Sequence, residues 1–263
     1  MTLTVFSING YQGDMWSGPQ ADVARYLSDQ GLNLAYWQPV GYNSFAFPLS
    51  IGVQSGLAEF QRLRQHHPGP YLLSCWSEGA IIGTLAVKAE LAAGNTDCKA
   101  AVAFGNPYRA AGRWNPSGGA PGSVGDPGGA GIGGPANNWA ASPAWWHNYA
   151  HGPNQPSYDG KPGVDIYTCC PTDDTGEAMR VVFDFVLTQW NGAIVDLWHL
   201  KDDLIRKGVL EIWSIINAII MAIAFYGSEK QRPHQDYSPN AGMNYLAGVA
   251  RGLSERRRPA AEM

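Results

Sequence analysis

The stretch Tyr71-Leu72-Leu73-Ser74-Cys75-Trp76-Ser77-Glu78-Gly79-Ala80-Ile81-Ile82-Gly83 constrains the fold more than any other part of the chain. Its opening residues are an apolar run of strand length, and from Glu78 onward small and aliphatic residues continue as a helix would carry them. The chain must therefore turn sharply at Ser77. A serine on such a turn is thrust out at the end of a strand, as in a nucleophile elbow, and the tight backbone asks for small residues two positions before and two after it. Gly79 meets that demand, and Cys75 stands at the other position. An ordinary buried strand-turn-helix crossing is the competing reading, and the stretch by itself leaves both open.

The surrounding pattern places this turn in a larger alternation. Residues 3–8 carry Val5, Phe6 and Ile8 as a first strand, broken by the loop Asn9-Gly10-Tyr11-Gln12-Gly13. Val23, Tyr26 and Leu27 recur at helical spacing within residues 18–30, and residues 32–37 read as a second strand. A helix starting at Ser50-Ile51 aligns Val53, Leu57, Phe60 and Leu63 on one face. It ends at His66-His67-Pro68, where cationic side chains suit a helix C-terminus, so these histidines read as structural. Residues 80–93 form another helix and residues 99–104 another short strand. This βαβ rhythm predicts an α/β fold, a mainly parallel sheet with helices on both faces.

Past residue 110 the rhythm breaks. Residues 110–143 turn to glycine, proline, serine and asparagine, which reads as a long surface excursion, either functional or a tolerated insertion. Residues 144–151 are aromatic enough for a strand, residues 152–163 are turn-rich, and residues 164–170 look locally like a further strand. A helix over 176–190 then runs into apolar residues up to 226 with no strand between them. The expected division is a sheet domain over 1–175, a helical insert over 176–230, and a return to the sheet domain over 231–263, with a polar loop at 232–237 and a closing helix at 243–253.

Composition narrows the function. With 263 residues, 45% of them hydrophobic, the chain can bury a large core, and its net charge of -4 excludes a nucleic-acid footprint. The basic cluster Arg256-Arg257-Arg258 lies in a polar tail. The four cysteines, Cys75, Cys98, Cys169 and Cys170, lack zinc spacing and read as small buried hydrophobes. The N-terminus has no basic region followed by an apolar core, so it does not read as a signal peptide. The apolar run at 209–226 is interrupted by Glu211, Ser214 and Asn217, which suits a helix against protein or a lipid surface better than a membrane span.

If Ser77 is a nucleophile, it needs a base within hydrogen-bond reach and an acid to orient that base, and it needs no metal or cofactor. In this kind of fold the order along the chain is serine, carboxylate, histidine. His234 follows every candidate acid in a loop before the last helix, whereas His199 sits in a helical stretch. The acid depends on where the last strand lies. A strand at 164–170 points to Asp173 or Asp174, and a strand at 144–150 points to Asp165. Backbone N–H groups of Tyr11, or a neighbour, and of Glu78 are the candidate donors to an oxyanion, although a plain glycine-rich loop would look the same.

Several stretches occur together in one order: Asn9-Gly10 after the first strand, Tyr36-Trp37-Gln38-Pro39-Val40-Gly41 followed by Phe47-Pro48, Ser77 with Gly79-Ala80-Ile81, Phe104-Gly105-Asn106-Pro107-Tyr108-Arg109, Tyr149-Ala150-His151, Asp165-Ile166-Tyr167, and Pro233-His234. On these the chain resembles the lysin B enzymes of mycobacteriophages, cutinase-related α/β-hydrolases that cleave the ester joining mycolic acids to arabinogalactan. The resemblance implies a cutinase-like α/β-hydrolase fold with a helical segment between acid and histidine. It favours Asp165 as the acid, because the family's acid also precedes an apolar residue and a tyrosine.

It further implies a mycolyl-arabinogalactan or other lipid ester substrate, no obligatory protein partner, and peripheral contact with a lipid-rich cell envelope. Synthesis in the host cytoplasm and action at the envelope during lysis follow from the same likeness. Trp213, Ile220 and Phe225 in the insert are candidates for one wall of a lipid groove, or else are helix-helix core. The departures are Cys75 for the first elbow glycine, Asn9 for histidine, and Glu78 for glutamine. An ionised Glu78 would oppose an oxyanion, so its side chain is expected to turn away or pair with a donor. The alternatives are a general cutinase-like lipase and a non-catalytic wall-binding protein on a hydrolase fold.

Overall fold

The computed structural model describes residues 3–114, 127–152, 163–188 and 232–256. Among these residues five strands form one sheet in the order β2-β1-β3-β4-β5, and every pairing is parallel. The strands are β1 (Thr4–Ile8), β2 (Tyr36–Pro39), β3 (Tyr71–Trp76), β4 (Cys98–Phe104) and β5 (Trp146–Tyr149). The helices are α1 (Pro19–Leu27), α2 (Leu49–His66), α3 (Glu78–Ala92), the short α4 (Gly134–Asn137), α5 (Asp174–Thr188), the one-turn α6 (Arg232–Gln235) and α7 (Asn240–Glu255). A parallel sheet flanked by helices is the arrangement that the βαβ rhythm predicts, and it is consistent with the α/β-hydrolase fold that the resemblance implies.

The pleat sorts the apolar residues into two cores. Phe6, Ile8, Tyr71, Leu73, Ala101, Ala103 and Trp146 face α2, α3 and α5, which contribute Phe60, Ile82, Val87, Met179 and Phe183. Leu3, Val5, Leu72, Val102, Phe104 and Tyr149 face the other way, against Val23 and Leu27 of α1 and Leu246 and Ala250 of α7. Strands buried on both faces account for the near-continuous apolar runs in β3 and β4. The helix over Asn240–Glu255 therefore closes the second face.

Three local readings are corrected. The second strand is Tyr36–Pro39, because the apolar residues before it seal the end of α1: Leu32 N–H donates to the Tyr26 carbonyl, and Leu34 and Ala35 N–H both donate to that of Leu27. Residues 164–170 are a turn, and among the described residues their one β-bridge is antiparallel, between Ala130 and Cys170. The Asp165 carbonyl accepts the N–H groups of Thr168 and Cys169, and its side chain accepts that of Tyr167, so a local Asp turn uses the backbone a strand would need. The excursion after β4 is not all surface. Ala130 and Ile132 are buried, and Ile132 N–H donates to the Tyr167 carbonyl beneath the Asp165 turn.

Of the stretch read as a helical insert, residues 176–188 belong to α5, which packs into the first core, and the remainder up to 230, with Trp213, Ile220 and Phe225, lies outside the described residues. Among the described residues no helix is long and apolar enough to cross a membrane.

Phe60 joins α2 to the sheet by edge-on contacts with Phe6 at 5.3 Å and Tyr71 at 5.8 Å between ring centroids. Phe60→Ala should destabilise the domain by about 3–5 kcal/mol. Urea unfolding measures this, and a loss below about 1 kcal/mol would contradict the packing of α2 on this face.

Candidate active site

The site lies where β1 and β3 run side by side at the centre of the sheet. The chain leaves β1 to form β2 on one side and returns through α2 to form β3 on the other, so the crevice at their carboxyl ends is a topological switch point. Ser77 is at the end of β3, with φ 56° and ψ −120°. That left-handed backbone is unusual for a residue with a Cβ and costs on the order of 1–3 kcal/mol. It is held by a 2.9 Å bond from Ser77 N–H to the Phe104 carbonyl at the end of β4.

Two glycines let the end of β1 approach. A Cβ on Gly79 would collide with the carbonyl groups of Ile8 and Asn9, and one on Gly10 would come within 2.9 Å of Ser77 Cβ. Cys75 is tolerated at the first elbow position because Gly83 makes room: a Cβ there would be 3.2 Å from Cys75 Sγ. The thiol also approaches the Val102 carbonyl at 3.4 Å.

His234, on α6, reaches Ser77 Oγ with Nε2 at 2.7 Å and Asp165 Oδ2 with Nδ1 at 2.8 Å. Trp76 places this ring by donating its indole N–H to the His234 carbonyl at 3.1 Å, and Tyr167 packs edge-on at 4.6 Å between centroids. Gly105, at φ 59°, lies below, where a Cβ would come 2.8 Å from His234 Cε1.

Asp165 is fully buried. Burial pushes its carboxyl up, but the His234 ring, its hydrogen bond and that of Tyr237 outweigh this and hold it below the usual carboxylate range. Tyr237 O–H donates to Oδ2 at 2.6 Å and Tyr167 N–H to Oδ1 at 3.0 Å. An ionised Asp165 makes Nδ1 of His234 the donor and leaves Nε2 free to accept from Ser77 O–H. Such a chain can lower the cost of deprotonating a hydroxyl at the moment it attacks. Asp173 is elsewhere, accepting Gly176 N–H at the start of α5, where Asp174 also lies.

Tyr11 follows Gly10 in the loop lying against Ser77, and Glu78 is the first residue of α3. The Glu78 side chain turns into the protein and meets the Tyr42 hydroxyl at 3.0 Å. Burial raises its carboxyl to about 8, with the Tyr42 hydrogen bond acting in the opposite direction.

Four contributors are not singled out by sequence pattern. Tyr237 bonds the acid, and His151 stacks on Tyr237 at 4.1 Å while its Nδ1 donates to the Pro233 carbonyl at 2.7 Å. Tyr42 binds the loop after β1. Arg109 is buried and bridges three segments, donating from Nε at 2.9 Å and Nη2 at 2.7 Å to the Thr168 carbonyl and from Nη2 to the Gly128 carbonyl at 2.7 Å. The motifs Phe104-Gly105-Asn106-Pro107-Tyr108-Arg109 and Tyr149-Ala150-His151 carried a signal for Arg109 and His151, but without a role. Among the described residues no group of three or more His, Cys, Asp or Glu side chains is arranged to hold a metal.

No protein-family model matches the chain, and no curated protein matches it either. Among solved structures it is similar to a cutinase-like protein from Cryptococcus sp., at 14% identity over 56% of this chain and 74% of that one, with a TM-score of 0.43. It is similar over far more of its length to lysin B from Mycobacteriophage D29, at 23% identity over 94% of this chain and 100% of that one. The TM-score of 0.66 shows that the two share a fold.

Proposed function

We propose that the chain is a serine esterase of the lysin B type, acting on the ester that joins mycolic acids to arabinogalactan. The observation that carries the reading is the continuous hydrogen-bonded chain Ser77–His234–Asp165 at a strained strand-to-helix turn. In the proposed mechanism Ser77 Oγ attacks the ester carbonyl and passes its proton to His234 Nε2, and Asp165 stabilises the resulting imidazolium. His234 then protonates the departing alcohol, leaving an acyl-serine that water hydrolyses by the same steps. The Glu78 and Tyr11 N–H groups hold the oxyanion in both halves.

The lipid side of the reading is supported by the full-length fold likeness to lysin B from Mycobacteriophage D29 and by the family motifs in order along the sequence. The exposed Phe45 and Ile51 lie on the segment that also carries Tyr42 and add apolar surface near the loop after β1. Action at the host envelope during lysis belongs to the same proposal.

Ser77→Ala should abolish turnover of a chromogenic butyrate ester with an unchanged melting temperature, and His234→Ala should be nearly as severe. Residual activity within about tenfold of the parent would end the triad assignment. The mycolyl substrate is tested separately, by release of long-chain hydroxy acids from delipidated mycobacterial wall. Butyrate turnover without that release would leave a general lipolytic esterase, and wall binding without any turnover would leave an adhesive protein.

Asp165→Asn should lower kcat by about 10⁴-fold, because the amide can present its N–H to Nδ1 and stabilise the wrong tautomer. Asp173→Asn and Asp174→Asn should change turnover by less than about threefold, their effect being confined to the first turn of α5. The reverse ranking, read from kcat on the same ester, would sink the assignment of the acid.

A further inference from the structure

The Glu78 carboxyl is buried under the loop that follows β1, and its surroundings fix where protons must be. The Tyr42 hydroxyl is 2.8 Å from the Asn9 carbonyl oxygen and 3.0 Å from Glu78 Oε2. A phenol has one proton to give, and a carbonyl can only accept. If Tyr42 donates to Asn9, the contact with Glu78 requires a proton on the carboxyl. A carboxylate would leave two acceptors competing for one proton.

The other oxygen agrees with this count. Glu78 Oε1 is buried with no hydrogen-bond partner among the described residues, and Gly52 of α2 closes over it, where a Cβ would come 2.5 Å away. An unpartnered carbonyl oxygen is a modest cost in such a place, whereas half of a buried negative charge is a large one.

We propose that Glu78 is a positioning residue: as a neutral acid it donates to Tyr42, so that Tyr42 donates to Asn9 and fixes the loop carrying the Tyr11 N–H. This rests on the esterase reading above. Loss of the Glu78 proton to hydroxide turns the Tyr42 proton toward the carboxylate and releases the Asn9 carbonyl. Asn9 adjoins Gly10, whose Cβ position would be 2.9 Å from Ser77 Cβ, so the released segment is the one lying against the nucleophile. The new charge also sits on the residue whose own N–H faces the oxyanion. Both effects lower turnover.

The ionisable groups around Glu78 leave its proton to Tyr42. From the loop after β1 come Tyr11 and Asp14, and Asp14 Oδ1 accepts the Trp16 N–H at 3.1 Å. On α2, Glu59, Arg62, Arg64 and His66 follow Gly52 by about two turns or more. On α3, Lys88 and Glu90 lie toward its far end, and Glu90 accepts from Tyr71 O–H and Arg64. Asp165 and His234 bond each other. Burial raises the Glu78 carboxyl to about 8 even against the lowering that Tyr42 would exert as a donor to a carboxylate, so the neutral acid is the form held at pH 7.

The test compares the parent, Glu78→Gln and Tyr42→Phe on the chromogenic butyrate ester across pH. The glutamine amide supplies the same donor at every pH. The parent's kcat should therefore fall about tenfold or more between about pH 7 and pH 9.5, and the Glu78→Gln profile should be flat there. Tyr42→Phe should lower kcat at every pH. An alkaline fall of equal size in the parent and Glu78→Gln would overturn the proposal.

A second reading uses no activity at all. The folded protein binds the Glu78 proton more tightly than the unfolded chain, whose value is 4.5. Between about 4.5 and 8 the parent should lose stability relative to Glu78→Gln as pH rises, by up to about tenfold in the unfolding constant per pH unit. A pH-independent difference would also overturn the proposal. Absence of turnover in the parent would fail the esterase reading instead, and the stability comparison would still decide whether Glu78 carries the proton.

Discussion

The close approach of β1 to the turn after β3 is the constraint on which the rest of the site depends. Gly79 and Gly10 carry no Cβ, so the Ile8 and Asn9 carbonyls can lie against the first turn of α3 and the loop beyond can lie against Ser77. The strained φ of 56° at Ser77 persists because both neighbours are fixed: β3 is paired on both edges, and α3 is buried along most of its length. A sheet in which β1 and β3 were not adjacent could not lay the loop after β1 against Ser77. The parallel order and the elbow are thus one feature.

The second half of the site comes from segments far apart in the chain, and it is assembled by hydrogen bonds more than by regular structure. Asp165 belongs to a turn with a single bridge to the sheet domain, yet its carboxylate receives His234, Tyr237 and the Tyr167 N–H. A buried carboxylate with several donors is held both in position and in its ionised state. Tyr237 in turn is stacked on His151, and His151 binds the Pro233 carbonyl next to His234. The ring of contacts closes on itself, so that Asp165 and His234 are oriented by each other's neighbours.

Apolar pattern made the sheet and its covering helices legible: β3 and β4 are runs of strand length, α1 and α2 carry an apolar face at helical spacing, and α3 is a longer run of small and aliphatic residues. Ser77 was legible for a related reason, because a strand run and a helix run meet at it without a loop. The turn at Asp165 was not legible locally. Val164, Ile166 and Thr168 alternate as a strand would, and nothing in that alternation reveals that the Asp165 carbonyl and carboxylate take the backbone N–H groups of Tyr167, Thr168 and Cys169. Family likeness pointed to Asp165 where pattern pointed beyond it. Side-chain-to-backbone bonds across long separations, such as Trp76 to His234 and Tyr42 to Asn9, have no period and so leave no trace in the sequence.

Arg109 shows how much of the site depends on such bonds. A guanidinium that is 1% exposed is costly unless its N–H groups are satisfied. Here they are spent on the Thr168 carbonyl and on the Gly128 and Gly129 carbonyls, so the cation ties the Asp165 turn to the end of the glycine-rich excursion. The Ala130–Cys170 bridge and the bond from Gly131 N–H to the Arg109 carbonyl join the same segments. An apolar residue at this position would remove two N–H donors from the buried Thr168 carbonyl, and a lysine has no planar fork with which to hold the turn and the excursion together. Residues 128–131 therefore help to support the Asp165 turn, which explains why Gly129 and Gly131 pack with no room for a Cβ against Cys169, Cys170, Pro107 and Arg109.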